Sequence, residues 1–300
     1  MDAWKKRKLK EAQHKHAWEL YLQGIHAFSR FHYLHVFLLY FLRLFGLYRR
    51  GVRNALEIQV NEYTIKLARL PRQFDGYRII HISDLHIGCI PWLADLVCRR
   101  LEHVTADICV FTGDYGFTFH DPPEKIIEAM GKIVSSIDVP DGILGILGNH
   151  DYGDILPAFK QLGIRMLMNE SFTLRRGSDH IRLIGLDDCH YFESHDLTQA
   201  MNGVSPQECK VFLIHSPEFI PEAAQADMDL YLCGHCHGGQ IRLPGLGAII
   251  NNARCKRKYS AGHWRYKDMS GYTHRGTGTS CVPVRFNCPP EIAVHTLRAE

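Results

Sequence analysis

The stretch LYLCGHCHGGQIRLPG, Leu230–Gly245, offers a metal ion two sets of ligands within five residues. Cys233 and Cys236 have the C-x-x-C spacing of a structural zinc site, whereas His235 and His237 form an H-x-H pair. The thiolates need two more soft ligands nearby, and the imidazoles need partners from other segments. The rest of the sequence decides between the two pairs.

Four other apolar segments also end in side chains that bind metals. They are YRIIHISDLHIG with Asp84 and His86, ADICVFTGDYG with Asp114, GILGILGNHDYG with Asn149, His150 and Asp151, and CKVFLIHSPE with His215. Each apolar run is typical of a buried strand, and helical stretches such as WLADLVCRRLEHV lie between them. Ligands bind at the carboxyl ends of strands in α/β proteins, so these side chains are expected to meet. Carboxylate, imidazole and amide ligands suit two divalent ions that share one carboxylate.

Residues 1–75 are predicted to form an N-terminal region ahead of a larger domain, residues 76–300. MDAWKKRKLKEAQHK is basic, and an apolar face at helical spacing follows it, formed by Trp18, Tyr21, Leu22, Ile25 and Phe28. The apolar run Tyr33–Tyr48 is shorter than the ~20 residues of a spanning helix. We expect these helices to lie on an anionic membrane surface. A helical hairpin packed on the protein's own core and a true membrane span are the alternatives. NALEIQVNEYTIKLARLP predicts a lead-in strand.

The five segments together resemble the sequence blocks of the calcineurin-like metallophosphoesterases, over roughly residues 76–300. The matching blocks are DLH, GD, GNHD, the histidine of LIHSP, and GHCH. The resemblance implies a four-layer α/β/β/α sandwich, here with an N-terminal helical extension, and a two-metal site at one edge. The protein-phosphatase branch continues after this block with Asp-Arg-Gly, and the presence of Tyr115 and Gly116 here argues against a protein phosphatase.

The same resemblance assigns roles to individual residues. Asp84, His86 and His237 are expected to hold the first metal, Asp114 to bridge both, and Asn149, His215 and His235 to complete the second. His150 is expected to assist the leaving oxygen, with Asp151 orienting it. Manganese is the expected ion, with iron and zinc as alternatives. Such ions lower the pKa of a bound water and neutralise phosphoryl oxygens, so the chain is expected to hydrolyse phosphate esters or anhydrides.

The histidines are then the metal ligands of the opening stretch, and the cysteines are expected to be packing residues. The ten cysteines are scattered through a chain of 300 residues, which is typical of reduced, buried thiols in a cytoplasmic protein. A zinc site that adds Cys281 and Cys288 is disfavoured because they lie seven residues apart.

The substrate depends on a finer resemblance. GHCHGGQIRLP and RFNCPPEI resemble the membrane-associated bacterial branch, which includes UDP-2,3-diacylglucosamine hydrolases of lipid A synthesis. This implies a lipid-linked substrate, cleaved to UMP and a lipid phosphate at the cytoplasmic face of the inner membrane. The alternatives are a phosphodiesterase of broad specificity, a nuclease and a non-catalytic scaffold. The complete set of ligands disfavours the scaffold.

The segment Arg242–Arg275 interleaves cations with aromatic residues. Such a segment is suited to bind a phosphate-rich ligand, an anionic membrane or a single-stranded nucleic acid. A solvated basic loop is the plainer interpretation. The net charge of +3 does not by itself indicate a nucleic-acid partner, and none is expected.

Overall fold

The computed structural model describes residues 3–22, 30–118, 121–248, 250 and 252–300; side chains are described for residues 3–13, 15 and from 37 onward within these ranges. The helices are α1 (Ala3–Leu22), α2 (Arg30–Leu44), α3 (Tyr48–Leu56), α4 (Leu93–Leu101), α5 (Pro123–Ser135), α6 (Leu156–Gln161), α7 (Leu197–Ala200) and α8 (Ile220–Gln225). The strands are β1 (Gln59–Leu67), β2 (Arg78–Ile82), β3 (Ile108–Phe111), β4 (Ile143–Gly145), β5 (Ile164–Met166), β6 (Glu170–Arg176), β7 (Asp179–Gly185), β8 (Lys210–Leu213), β9 (Leu230–Cys233), β10 (Arg242–Leu243), β11 (Gly247–Ala248), β12 (Gly262–Tyr266), β13 (Met269–Thr273) and β14 (Glu291–Ala299).

Two six-stranded sheets organise the described part of the chain. The first has the order β1-β14-β2-β3-β4-β5 and the second the order β12-β13-β9-β8-β7-β6. Strands β2 to β5 are mutually parallel, as are β7, β8, β9 and β13. The five segments singled out from the sequence form β2, β3 and β4 of the first sheet and the adjacent β8 and β9 of the second.

The strands are buried on both faces, which is why they read as continuous apolar runs. In β2, Ile79 packs between the two sheets, while Ile80 and Ile82 pack against the helices on the outer face. In β9, Leu232 faces the other sheet and Tyr231 faces outward. This alternation follows from the two-residue period of a strand. One apolar layer between the sheets and one under each set of outer helices confirm the predicted α/β/β/α sandwich.

The predicted lead-in strand is β1, which pairs in parallel with β14 over its whole length. It is the edge strand of the first sheet although it precedes residue 75. The domain boundary near residue 75 therefore stays a prediction. The predicted apolar face of residues 18–28 lies outside the side chains that the structure describes.

The described parts of α2 and α3 pack on the C-terminal segment. Leu42 of α2 is buried against Val282 and Val284, with Val52 of α3 beside them. Within the described part of the chain, no helix is both long enough and apolar enough to cross a membrane.

Candidate metal centre

The predicted ligands follow the carboxyl ends of β2, β3, β4, β8 and β9, where the rims of the two sheets meet. Five of them have backbones in the left-handed region: Asp84 (φ 53°), His86 (44°), Asp114 (57°), His235 (70°) and His237 (49°). This conformation costs non-glycine residues of order 1–3 kcal/mol each, and such strain concentrates at functional sites.

The structure brings Asp84, His86 and His237 together as one group whose ligand atoms lie within 4.8 Å of one another. Nε2 of His86 lies 3.0 Å from Nε2 of His237, which is 3.3 Å from Oδ1 of Asp84. This is the set predicted for the first metal.

A second group with the same spacing contains Asp114, His215 and His235. Oδ1 of Asn149 lies 2.8 Å from Nδ1 of His235, which adds the predicted amide ligand. Oδ2 of Asp114 lies 3.1 Å from Nε2 of His215 and 3.6 Å from Nε2 of His86. One carboxylate oxygen therefore faces both groups, as a bridging ligand must.

Backbone carbonyls determine which imidazole nitrogen is available as a ligand. His86 donates from Nδ1 to the carbonyl of Gly116 at 3.0 Å, and His215 donates from Nδ1 to that of Thr112 at 2.6 Å. His235 instead donates from Nε2 to the carbonyl of Asn252 at 3.1 Å. The unprotonated nitrogen of the neutral ring is then Nε2 in the first two and Nδ1 in His235, and each faces the centre.

Burial and charge set the protonation of the site. Burial lowers the pKa of His86 and of His235 to about 3, so both rings are neutral at pH 7. Burial also disfavours charge on His215, but neighbouring Asp114 outweighs it and raises the pKa of His215 to about 10. Burial raises the pKa of Asp84 to about 7. Metal binding is therefore expected to release protons from His215 and Asp84.

The donor set fits two divalent cations. Nδ1 of His235 and Oδ1 of Asn149 are both acceptors, yet they face each other at 2.8 Å in a buried pocket. Nε2 of His215 is fully buried and faces Oδ2 of Asp114 at 3.1 Å, so this nitrogen becomes a ligand once it has lost its proton. Acceptor atoms turned toward one another are explained by a cation between them, and carboxylate, imidazole and amide oxygen suit manganese, iron or zinc.

His150 and Asp151 contribute in different ways. The main-chain N–H of His150 donates to Oδ1 of Asp114 at 2.8 Å, and its ring donates from Nδ1 to the carbonyl of Phe117 at 3.1 Å. A proton transfer by this ring would therefore use Nε2. The ring also borders a pocket of about 210 Å³. The carboxylate of Asp151 accepts main-chain N–H groups of Gly148, Asp114 and Tyr115 at 2.7–2.8 Å. It fixes the loop that carries His150, and in this way orients the ring indirectly.

The cysteines of the opening stretch make packing contacts. Cys233 lies within β9, with its sulfur 3.2 Å from the hydroxyl of Thr273, and Cys236 is buried. Cys288 donates to the carbonyl of His237 at 3.3 Å. All ten cysteines are free, and the candidate metal groups among the described residues contain only histidine, aspartate and glutamate.

Sequence reasoning missed a sixth strand that ends at the site. LIGLDDCH, which contains the end of β7, brings His190 to within 4.3 Å of His235, measured between ring centroids. Nδ1 of His190 lies 2.9 Å from Oε1 of Glu218, and the three residues form a further candidate group. The same signal, an apolar run followed by polar residues, was present in the sequence.

The glycines of two blocks are also required by the geometry. A side chain on Gly234 would run into Ser83 and Asp84, and one on Gly148 would run into Asp114. Backbone approaches this close need residues without Cβ. Gly234 therefore lets the rims of the two sheets meet, and Gly148 lets the loops after β3 and β4 of the first sheet approach each other.

A phosphate-ester hydrolase with two metal ions is the class of protein that this fold and site define. The chain belongs to the calcineurin-like phosphoesterase family, whose sequence profile matches residues 77–239. The family uses a dinuclear metal site, in agreement with the clustered ligands. The resemblance and the predicted enzyme class are confirmed.

Three relatives illustrate the range of the family. The chain is 32% identical to the uncharacterized metallophosphoesterase YkuE of Bacillus subtilis, over 81% of this chain and 86% of YkuE. It is 27% identical to the phosphodiesterase YaeI of Escherichia coli, over 73% of this chain and 81% of YaeI. It is 26% identical to the UDP-2,3-diacylglucosamine pyrophosphatase LpxG of Chlamydia trachomatis, over 80% of this chain and 90% of LpxG.

Proposed function

We propose that the protein hydrolyses a lipid-linked pyrophosphate at a membrane surface, with UDP-2,3-diacylglucosamine as substrate and UMP and a lipid phosphate as products. The observation that carries this proposal is an exposed apolar face on α2. The proposed place of action is the cytoplasmic face of the inner membrane, and the proposed ions are two Mn²⁺.

The apolar face of α2 is formed by side chains at helical spacing that point away from the protein. We define it as Phe37, Tyr40, Phe41 and Leu44 together with Phe45, which directly follows the helix; their exposed fractions range from 43% to 81%. The opposite face packs on the protein through Leu38, Leu39 and Leu42. A helix with one face packed and one exposed apolar face is suited to lie in the headgroup region of a bilayer.

The hairpin β10–β11 connects this surface to the metal centre. Ile241, directly before β10, packs in the same apolar cluster as α2, while Leu243, Leu246 and Ile250 are exposed. Arg242 donates from Nη1 to the carbonyl of Gly238 at 3.0 Å, next to His237. Acyl chains held by a leaflet at this surface would leave the diphosphate of the same molecule within reach of the metal centre.

The N-terminal cations contribute less to membrane attraction than the sequence suggests. Lys6, Lys8, Lys10 and Lys15 form ion pairs with Glu193, Glu11 or Asp154. A cation paired within the protein adds little to the attraction of an anionic leaflet. The proposal therefore rests on the apolar face of α2 and the hairpin.

The relationship to LpxG supports the lipid substrate, and the relationship to YaeI supports a phosphodiesterase of broad specificity as the second candidate. The nuclease is disfavoured by the aromatic residues of the basic segment. Tyr259, Trp264 and Tyr272 are buried and pack in the apolar layers, so they offer no surface on which bases stack.

The first experiment is hydrolysis of UDP-2,3-diacylglucosamine in mixed micelles with Mn²⁺, with bis-p-nitrophenyl phosphate assayed in parallel. Release of UMP much faster than hydrolysis of the aryl diester supports the proposal. Turnover of the aryl diester alone contradicts the lipid substrate and favours the second candidate.

A variant of α2 separates the membrane surface from the chemistry. Phe37→Ser/Phe41→Ser is expected to reduce sedimentation with anionic vesicles and turnover of the lipid, with aryl diester turnover unchanged. Trp92→Ser, which removes another exposed aromatic residue outside α2, is the matched control. Unchanged vesicle binding by the α2 variant would refute the role of this face.

A further inference from the structure

The helix α1 lies against the loop that follows β4, which we define as the catalytic loop, residues 148–153. Arg7 of α1 is fully buried there. Its Nη2 donates to the carbonyl of Gly148 at 3.4 Å and also to the carbonyl of Asp151. These two carbonyls flank Asn149 and His150, so one guanidinium holds both ends of the segment that carries them.

Glu11, one turn further along α1, holds the end of the same loop. Its Oε1 accepts the main-chain N–H of Gly153 at 2.9 Å and Nε of Arg7 at 2.9 Å. Residues four apart lie on one face of a helix, so Arg7 and Glu11 approach the loop as a pair. Arg7 binds loop carbonyls, and Glu11 binds a loop amide.

The guanidinium of Arg7 also reaches the second sheet. Its Nη1 donates to Oδ1 of Asp187, which follows β7, and its plane lies 4.2 Å from the centre of the Phe192 ring. Asp187 is itself held by the hydroxyl of Ser194 at 2.7 Å. Arg7 therefore joins the rim of the second sheet to a loop of the first, beside the metal centre.

Packing alone does not account for these contacts. A buried ion pair is often no more stabilising than apolar residues of similar volume, because both charges must be desolvated. The planar fork of arginine provides several donors in a fixed geometry. The loop is also anchored to the segment after β3, because the carboxylate of Asp151 accepts the main-chain N–H groups of Asp114 and Tyr115. Arg7 and Asp151 thus fix the loop through contacts to two different segments.

We propose that α1 is part of the active site and that Arg7 is a positioning residue for Asn149 and His150. It fixes the amide oxygen of Asn149 opposite His235 and the ring of His150 above the bridging Asp114. The inference rests on the two-metal site of the family and not on the lipid substrate, so either proposal can fail without the other.

The test compares Arg7→Met with Lys5→Met, which removes an exposed cation from the same helix. Calorimetric titration with Mn²⁺ is expected to show the second ion bound about 10–100-fold more weakly in Arg7→Met, as when an outer-sphere partner of a ligand is lost. Hydrogen exchange of the metal-free protein is expected to be faster in residues 148–153. Arg7→Lys should restore only part of the Mn²⁺ affinity and part of the slow exchange, and Lys5→Met should match the wild type in both.

Turnover provides a further measurement that a purely structural role would not change. We expect kcat to fall with KM little altered, on whichever substrate the wild type hydrolyses. Wild-type Mn²⁺ affinity and wild-type exchange of the loop in Arg7→Met overturn the proposal, even if the melting temperature falls. If Arg7→Met does not fold, the variant Arg7→Met/Glu11→Gln/Asp187→Asn also removes the two carboxylates that form ion pairs with Arg7. Hydrogen exchange of the loop at the wild-type rate in that variant would also overturn the proposal.

Discussion

Replacing His150 by alanine is expected to slow hydrolysis without removing the metals. The structure separates the two contributions of this residue. Its main-chain N–H, which alanine keeps, donates to the bridging Asp114 at 2.8 Å. Its side chain, which alanine lacks, is held through Nδ1 by the carbonyl of Phe117, so a proton passed to the leaving oxygen would come from Nε2. The variant therefore removes the proposed proton donor and leaves the ligand geometry in place.

The size of the effect follows from the role of a proton donor. General acid assistance contributes about 10²–10⁴-fold, which corresponds to about 3–5 kcal/mol of transition-state stabilisation. The loss should depend on the leaving group, because nitrophenolate departs as a stable anion whereas an unsubstituted phenol needs the proton. We expect a loss below about tenfold for the nitrophenyl ester and about 100-fold or more for the phenyl ester.

The assay is kcat/KM over a series of aryl methyl phosphodiesters, with metal content measured on the same samples. His180→Ala, which removes a histidine paired with Glu208 at the other end of β7, is the control. The reasoning is refuted by an equal loss across the whole series. Loss of one metal ion from His150→Ala would instead make this residue a ligand.

Two further predictions concern a bridging ligand and a buried carboxylate. Asp114→Asn should lower turnover by at least about 100-fold with the fold intact, because a neutral amide cannot neutralise two cations; near-normal activity with full metal content would disprove the bridge. Glu291→Gln should be less stable than the wild type by about 3 kcal/mol at pH 7. Burial opposes the charge of Glu291, but neighbouring His274 and Arg275 outweigh it and lower its pKa from 4.5 to about 2. A carboxylate whose pKa is lowered in the folded state stabilises the fold above about pH 4.5, and this stabilisation is lost as the pH falls toward 2. Urea titrations should therefore show that the difference in free energy of unfolding between the wild type and Glu291→Gln becomes smaller below about pH 4.5. A difference independent of pH would contradict the pairing.

The ligand sets were predictable because each part of them is encoded locally. A buried strand reads as an apolar run, and the residue that follows its carboxyl end projects from the rim of the sheet. Asp84 with His86 and His235 with His237 follow this rule. The same rule applies to β7, which is followed by His190 at the same rim.

The interleaving of aromatic residues and cations in the basic segment has a structural explanation. In β12, Trp264 is buried and Arg265 is exposed, as the two-residue period of a strand requires. Aromatic residues that alternate with cations are therefore typical of a strand with an apolar inner face. The role of the cations in binding stays a prediction.

Local pattern by itself determined the α/β class, the strand ends and the polar side chains that follow them, because these depend on neighbours within a few residues. The family resemblance added the predicted role of each ligand. The assignment of Arg7 and Glu11 needed the tertiary structure. Their partners lie 141 to 180 positions away in sequence. The sequence of a basic helix does not show whether its cations contact lipid headgroups or buried carbonyl groups. Only the folded chain decides which of its charges are desolvated, since desolvation depends on what packs around a side chain in space.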